Sequence, residues 1–242
     1  MVGSKNNGSD MIRKLDWDSN FFDLKIGEFI NIDNEKIVIQ DDSFDLVYIK
    51  SNFDCPLANI NYNISNQEVK ITFAKKLRES NNVSNSCIFN LEDVKDFKID
   101  DLYNLAFLSG TYSRFFKDSN ISVEKFKDLY RKWVDNAVNK TFDDYFIVFK
   151  LQQRIVGMLT MKIYEGYAQV GLLAVSEDFK GKGIGSHLLM HAENYCFHQH
   201  IFEIRIPTQK ENVAACNFYE NKKYKIIDEK IIKHAWKINN NL

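Results

Sequence analysis

Three glycines alternate through Lys180-Gly181-Lys182-Gly183-Ile184-Gly185-Ser186, between an apolar run ending at Val175 and a helical stripe that begins at Ser186. Glycine at a strand-to-helix turn lets a bulky anion approach the backbone closely. The amide N–H groups of a helix's first turn have no partner within the helix, and its dipole adds positive potential there. The chemistry on offer is phosphate or pyrophosphate binding. Two other phosphate loops do not fit. Gly181, Gly183 and Gly185 are followed by Ser186, His187 and Leu188, so the dinucleotide spacing GxGxxG is absent, as is the triphosphate loop GxxxxGK[ST]. On this stretch alone, a glycine-rich turn without a ligand stays open as an alternative.

A second chemical stretch lies downstream, Asn-Val-Ala-Ala-Cys-Asn-Phe-Tyr-Glu-Asn-Lys-Lys-Tyr at 212–224. The glycine loop resembles the CoA-binding signature [QR]-x-x-G-x-[GA] of the GNAT superfamily, with Lys180, Gly183 and Gly185 at its first, fourth and sixth positions. The later stretch resembles that family's N-x-x-A-x-x-F-Y-x-x-x-G-F, through Asn212, Ala214, Phe218 and Tyr219. Lys180 departs from the first signature, and Lys223 stands where the family has Gly. The two landmarks come in the family's order, one helix and one strand apart. The resemblance implies an α/β (α+β) GNAT fold, with a mixed, mostly antiparallel, splayed sheet and flanking helices. It implies acetyl-CoA as cosubstrate and no metal. Under it the amides of Gly181, Lys182, Gly183, Ile184, Gly185 and Ser186 hold the CoA pyrophosphate, with Lys180 opening the loop. Backbone groups of Leu173, Ala174 and Val175 pair with the pantetheine arm as an added strand would. Asn212 hydrogen-bonds the pantetheine, or caps a helix instead. Tyr219 protonates the leaving thiolate, since a phenol keeps its proton at neutral pH; the competing role is packing under the sheet.

A narrower resemblance runs along most of the chain. Leu15–Gly27 (LDWDSNFFDLKIG) and Ser109–Ile121 (SGTYSRFFKDSNI) are similar to the dTDP-fucosamine acetyltransferase group. That group acetylates the 4-amino group of a dTDP-4-amino-4,6-dideoxyhexose and joins a truncated GNAT-like domain to a complete one. A dTDP-amino sugar is therefore the expected acceptor, with direct transfer in a ternary complex. Another small amine, a peptide N-terminus, or a CoA-binding sensor without catalysis are the alternatives.

Other candidates are weaker. Arg114 is a candidate for the sugar-nucleotide phosphates or a local partner of Asp118. His187 and His191 share a helix face at a metal-binding spacing, but no third ligand accompanies them, so they read as exposed helix histidines. The Trp17–Phe22 aromatics read as packing core rather than as a base-stacking platform. For the base that deprotonates the amine, ordered water leading to a strand carboxylate or His and a direct residue such as Glu165 stay open as alternatives.

These residues need a scaffold, and the rest of the sequence supplies one. Strands are expected at Ile26–Ile32, Asp45–Lys50 and Glu68–Lys75, where Val69, Ile71 and Phe73 alternate with polar neighbours. A helix is expected from Val123, with Phe126, Leu129, Tyr130, Trp133, Val134 and Ala137 on one face. Strands at Asp144–Lys150, Ile155–Tyr164 and Tyr167–Val175 form an antiparallel meander. The strand at Ile201–Ile206 should run parallel to Tyr167–Val175, followed by a helix over Asn212–Asn221 and strands over Lys225–Ile238. The expected division is a flexible start at 1–10, a truncated GNAT-like domain at 11–78, a linker at 79–90 and the acetyltransferase domain at 91–242.

Composition agrees with a packed protein. The 242 residues are 45% hydrophobic with 19 Phe and 11 Tyr, unlike a disordered chain. A net charge of −1 gives no global argument for nucleic acid or an anionic membrane. No apolar run reaches the roughly 20 residues of a membrane span, and no apolar leader precedes the start. Cys55, Cys87, Cys196 and Cys216 show no paired spacing, and read as reduced thiols of a cytoplasmic protein. A homodimer is allowed for as its assembly.

Overall fold

A computed structural model of the chain describes residues 12–32, 34–80 and 85–238. The expected flexible start at 1–10 and the centre of the expected linker, 81–84, lie outside the described residues. In chain order the elements are β1 (Arg13–Lys14), α1 (Asp16–Phe22), β2 (Ile26–Asn31), β3 (Leu46–Ser51), β4 (Tyr62–Lys76) and β5 (Ile88–Asn90). Then come α2 (Ile99–Ser109), α3 (Arg114–Lys117), α4 (Val123–Val138), β6 (Tyr145–Leu151), β7 (Arg154–Tyr164) and β8 (Tyr167–Val175). Last are α5 (Ile184–His198), β9 (Glu203–Gln209), α6 (Val213–Asn221) and β10 (Lys225–Lys237).

Among the described residues the strands form one mixed sheet in the order β1-β2-β3-β10-β4-β9-β8-β7-β6-β5. The expected meander is there, with β6, β7 and β8 antiparallel. β8 and β9 run parallel, as the helix between them requires. β4, from the first third of the chain, lies between β9 and β10 and pairs antiparallel with both. Two readings differ and one element is added. Asp16–Phe22, where no element was expected, is a helix, and Ile88–Asn90, at the end of the expected linker, pairs with β6. The final strand is one element of 13 residues that joins β3 to β4.

The helices cover the two faces of the sheet. On one face α5 and α6 pack on Ile71, Phe73, Leu159, Met161, Ile204 and Ile206. On the other, α2 and α4 pack on Leu46, Tyr48, Val148, Met158, Leu172 and Ala174. α4 obeys its sequence stripe: Phe126, Leu129, Tyr130, Val134 and Ala137 are buried. The Ser122 hydroxyl accepts from the Lys125 N–H at 3.1 Å and caps its start. Burying each Leu-sized side chain stabilises by about 1.5–3 kcal/mol.

The pairing of β7 with β8 is interrupted once. Leu159 pairs with Leu173 but Met161 with Val170, so Thr160 alone stands opposite Gly171 and Leu172. This is a β-bulge on β8, the kind of insertion that bends and twists a strand. Thr160, fully buried, accepts from the Leu172 N–H at 3.0 Å and donates to the Asp143 carboxyl. Burial pushes that carboxyl up to about 6, against the pull of Lys162. Its folded value therefore exceeds its unfolded one. The stability it confers is complete below about pH 4 and is lost as pH rises through 6. Asp143→Asn keeps an oxygen for Thr160 and removes the titration. It should melt about 2–8 °C higher than the wild type at pH 7.5, from about 1–2 kcal/mol, with the gap closing towards pH 4. Thermal unfolding between pH 4 and 8 checks this; a gap that does not vary with pH contradicts it.

Candidate active site

The glycine loop folds as its composition demands. After a single helical turn at Glu177–Phe179, Gly181 and Gly183 take φ of +76° and +80°. That left-handed region is open to glycine and strained for other residues. Gly183 is the residue before α5, and no side chain caps the helix there. The first bond of α5 runs from the His187 N–H to the Gly183 carbonyl at 3.0 Å. Among the described residues, no protein group accepts from the N–H groups of Gly181 to Ser186. Gly185 sits against Phe218 and Val175, fixing the loop between α6 and the end of β8. Lys180 and Lys182 are exposed at the rim, Lys180 with Glu177 and Lys182 over the Phe179 ring. The result is an unsatisfied, electropositive cradle at a helix start.

Beside it the sheet opens. β8 and β9 pair only at Ala168–Ile204 and Gln169–Arg205, and then diverge. The Ser176 N–H bonds to the Val156 carbonyl on β7 at 2.8 Å, and the Leu172 N–H also turns to β7. With the two-residue alternation of a strand, Ala174 faces β7 as well. The backbone groups of Leu173 and Val175 then face the gap. Ala174 differs from the sequence reading: its backbone turns to the sheet and its side chain is buried against the α2 face. The open edge offers one N–H and one C=O at each of two residues to an extended ligand.

α6 begins at the far side of this opening. Asn212 is its cap, and its side-chain oxygen accepts from the Ala215 N–H at 3.2 Å. The capping role is thus real, and the side-chain amide N–H groups are left to donate. Tyr219, two turns on, is 7% exposed and packs on Phe73, with ring centroids 5.5 Å apart. Its hydroxyl has no partner among the described residues and is not one of their sealed polar atoms. Burial raises the phenol well above its usual value, so it holds its proton at neutral pH. Both readings of Tyr219, packing and proton donation, fit the same ring.

The weaker candidates fall elsewhere. Arg114 does not pair with Asp118. Its backbone N–H donates to Glu68 Oε2 at 3.0 Å, its guanidinium lies 3.9 Å from Glu68 Oε1, and it stacks over Tyr48 and Phe115. Asp118 is instead held by His234 Nδ1 at 2.5 Å, Trp236 Nε1 at 2.9 Å and Ser65 Oγ at 2.7 Å. His187 and His191 are half-buried rather than exposed; His191 Nδ1 lies 3.0 Å from the Tyr145 hydroxyl. Glu165 is exposed in the turn between β7 and β8, a whole strand away from Val175. Trp17 is 43% exposed and stacks on Phe21, while Phe21 and Phe22 join the core. A cavity of about 240 Å³ lined by Val94, Ala137, Asp143 and Tyr145 lies at that same distant end of the sheet. Sequence reasoning missed Thr160 and Asp143, which shape the bulge, and Glu68, which faces Arg114. Only the strand alternation of β4 hinted at Glu68, a carboxylate standing just before the apolar Val69.

The chain is similar to known proteins. The family model described as Acetyltransferase (GNAT) family matches residues 101–223, about half of the chain. Streptothricin acetyltransferase A of Bacillus subtilis is 30% identical over 73 residues, 30% of this chain and 42% of that protein. Spore coat polysaccharide biosynthesis protein SpsD of the same organism is 28% identical over 132 residues, 54% of this chain and 45% of that protein. The dTDP-fucosamine acetyltransferase of Escherichia coli O6:H1 is 30% identical over 92 residues, 37% and 38% of the two chains. The matches thus span less than half the length of each relative. A GNAT-family structure from Novosphingobium aromaticivorans superposes with a TM-score of 0.52 at 11% identity, covering 81% of this chain and 75% of that one, a likeness of fold. A matched family model, a helix start with free amides and a strand that leaves its neighbour beside it agree: the chain belongs to the acetyltransferase (GNAT) family.

Proposed function

We propose that this enzyme transfers the acetyl group of acetyl-CoA to the 4-amino group of a dTDP-4-amino-4,6-dideoxyhexose, by direct attack in a ternary complex. The observation that carries the donor half is the unpartnered run of amides from Gly181 to Ser186 beside the free edge of Leu173 and Val175. The pyrophosphate takes the amides and the pantetheine lies along the edge, with Asn212 reaching it from α6. The amine attacks the thioester carbonyl carbon, a C–N bond forms and the C–S bond breaks. Tyr219 gives its proton to the thiolate and regains one from the attacking nitrogen by way of solvent. Holding both reactants in contact supplies much of the rate by itself.

The acceptor half rests on the stretches 15–27 and 109–121 and on the similarity to dTDP-fucosamine acetyltransferase and SpsD. Arg114, half-buried on α3, is the proposed contact for the nucleotide phosphates. The similarity to streptothricin acetyltransferase A favours a second reading, a different small amine on the same machinery. We further propose that 11–78 and 91–242 are a truncated and a complete GNAT-like unit sharing the sheet, and that the enzyme works in the cytoplasm. No described helix is long and apolar enough to cross a membrane.

Three measurements test this. Gly183→Val puts a β-branched residue at φ +80°, where it is strained by about 1–2 kcal/mol or more, and so distorts the loop whose amides would hold the phosphates. Acetyl-CoA affinity should fall at least about tenfold in a folded protein, as 1.4 kcal/mol would give. Unchanged affinity by calorimetric titration removes the loop from the site. Tyr219→Phe should lower kcat by about 10²–10⁴-fold with acetyl-CoA affinity nearly unchanged; wild-type turnover would leave Tyr219 as packing alone. Finally, thiol release can be followed over a panel of dTDP-aminosugars, free aminosugars, streptothricin, amino acids and peptides. A dTDP-4-amino-4,6-dideoxyhexose should be fastest, and faster turnover of streptothricin or a peptide would replace the proposed acceptor while leaving the acetyl transfer in place.

A further inference from the structure

We infer that Glu68 is the catalytic base, the group that touches the acceptor amine and removes its proton before attack. The inference rests on the acetyl-transfer reading and not on which amine is the acceptor.

β4 runs along β9 on the side away from β8, and Lys70 pairs with Gln209, the last residue of β9. Three residues later α6 begins at its Asn212 cap. The stretch Glu68–Lys70 thus stands at the end of the strand that leaves β8. Alternation along β4 separates its side chains into two sets. Ile71 and Phe73 join the core under α5 and α6, with Tyr219 on Phe73. Glu68 and Lys70 point to the opposite face, where α3 brings Arg114 and α4 brings Tyr130. The cradle and Tyr219 belong to the α5 and α6 face. A thioester threaded through the gap between β8 and β9 presents its leaving sulfur to Tyr219 and its carbonyl carbon to the other face. The amine has to arrive on that other face, where Arg114 is flanked by two carboxylates, Asp18 on α1 and Glu68 on β4, and Glu68 is the one at the end of the strand that leaves β8.

Its surroundings are those of a working group rather than a structural ion pair. Glu68 is 4% exposed, and a carboxylate so buried is normally held by close, charged hydrogen bonds. Here Oε2 takes the Arg114 N–H at 3.0 Å, the Gln209 side chain adds a bond, and the guanidinium stands off at 3.9 Å from Oε1. Arg114 Nε, also sealed from solvent, has no partner among the described residues. Contrast Glu193, equally buried, whose two oxygens take Lys75 Nζ at 2.9 Å each and the Tyr224 hydroxyl at 2.9 Å. Glu193 is satisfied; Glu68 keeps capacity for one more donor. An ammonium group supplies it.

The titratable groups facing Glu68 are Arg114 on α3, Lys70 on its own strand and Tyr130 on α4. Burial lifts the Glu68 carboxyl above its ordinary value, while Arg114 and Lys70 oppose the rise. Burial also brings Lys70 down to about 8, so Lys70 is the competing base. In the balanced step, the bound ammonium gives one proton to Glu68, which passes it to solvent. The freed lone pair forms the C–N bond and the C–S bond breaks. The second nitrogen proton replaces the one Tyr219 gives to sulfur. One proton is released per turnover.

The test uses the full chain and follows thiol release from acetyl-CoA with the fastest amine of the panel and with water alone. Glu68→Gln keeps an oxygen for the Arg114 N–H. It should lower kcat by about 10²–10⁴-fold, leave acetyl-CoA affinity within about twofold, and recover partly as pH rises and more amine is free base. Glu68→Asp should retain more activity than Glu68→Gln. Because a Glu68 variant could misfold, the wild type is read as well: its kcat should fall on acidification with a midpoint above the ordinary glutamate value. Wild-type kcat in folded Glu68→Gln, or a larger loss in Lys70→Met than in Glu68→Gln, overturns the assignment while the acetyl transfer stands. A wild-type protein that binds acetyl-CoA but releases thiol to neither amine nor water overturns the catalytic reading, and Glu68 with it.

Discussion

The arrangement hangs on a failure of two strands to stay paired. An unpaired backbone N–H or C=O sealed from water costs about as much as a lost hydrogen bond. β8 and β9 nevertheless part after two residue pairs. The bulge at Gly171 and Leu172 makes the parting tolerable. Thr160 takes the Leu172 N–H that the irregular register leaves over, and β8 bends away while its bonds to β7 continue to Val175. The free groups of Leu173 and Val175 then open on solvent or ligand and not on core. In the proposed reaction their position sets where the acetyl group crosses the sheet.

The parting strand also needs support on its other side. β9 would be an open edge if it left β8 with nothing beyond it, and an open edge is poorly fixed. β4 gives it seven paired residues, Lys70–Lys76 against Gln209–Glu203. The first third of the chain is therefore part of the same sheet as the glycine loop's β8. It brings Glu68 against Arg114 and Phe73 under Tyr219. Asp118 makes a similar link: its carboxylate ties the loop after α3 to β4 through Ser65 and to β10 through His234 and Trp236. Burial holds His234 down to about 4, so it stays neutral through the ordinary pH range and the link does not change charge there.

Local signals were legible and long-range pairing was not. The stripe of α4, the alternation of β4 and the glycines at 181–185 each place their own element, because period and φ preference are local properties. Tyr167–Val175 reads correctly to the residue. The partner of β4 is another matter. Val69, Ile71 and Phe73 declare a buried face but not which strands flank it, and those flanks lie roughly 130 and 160 residues further on. Asp16–Phe22 carries no i, i+3, i+4 apolar stripe long enough to declare a helix, and its φ-positive Asp23 cap shows only in three dimensions. The site divides the same way. The loop and α6 were visible as motifs, whereas Thr160, Asp143 and Glu68 act through residues distant in sequence. Ala174 shows a finer limit: a motif names three consecutive residues, and strand geometry turns only alternate ones to the ligand.

The place of β10 has a consequence for how the protein is made. Its 13 residues pair with β3 on one side and β4 on the other, both synthesised more than 140 residues earlier. Until Lys237 is available, β3 and β4 each present an open edge, in a chain whose helices and β6–β8 meander can already have formed. Ribosomes add about 5–20 residues per second, so this interval lasts on the order of ten seconds. Loop closure over such separations is slow relative to local contacts, and exposed edges invite pairing with other chains. Among the described strands, the one that joins β3 to β4 is thus the last to arrive. The nascent chain is most open to aggregation just before β10 emerges, and loss of the residues around 225–237 would make that vulnerability permanent.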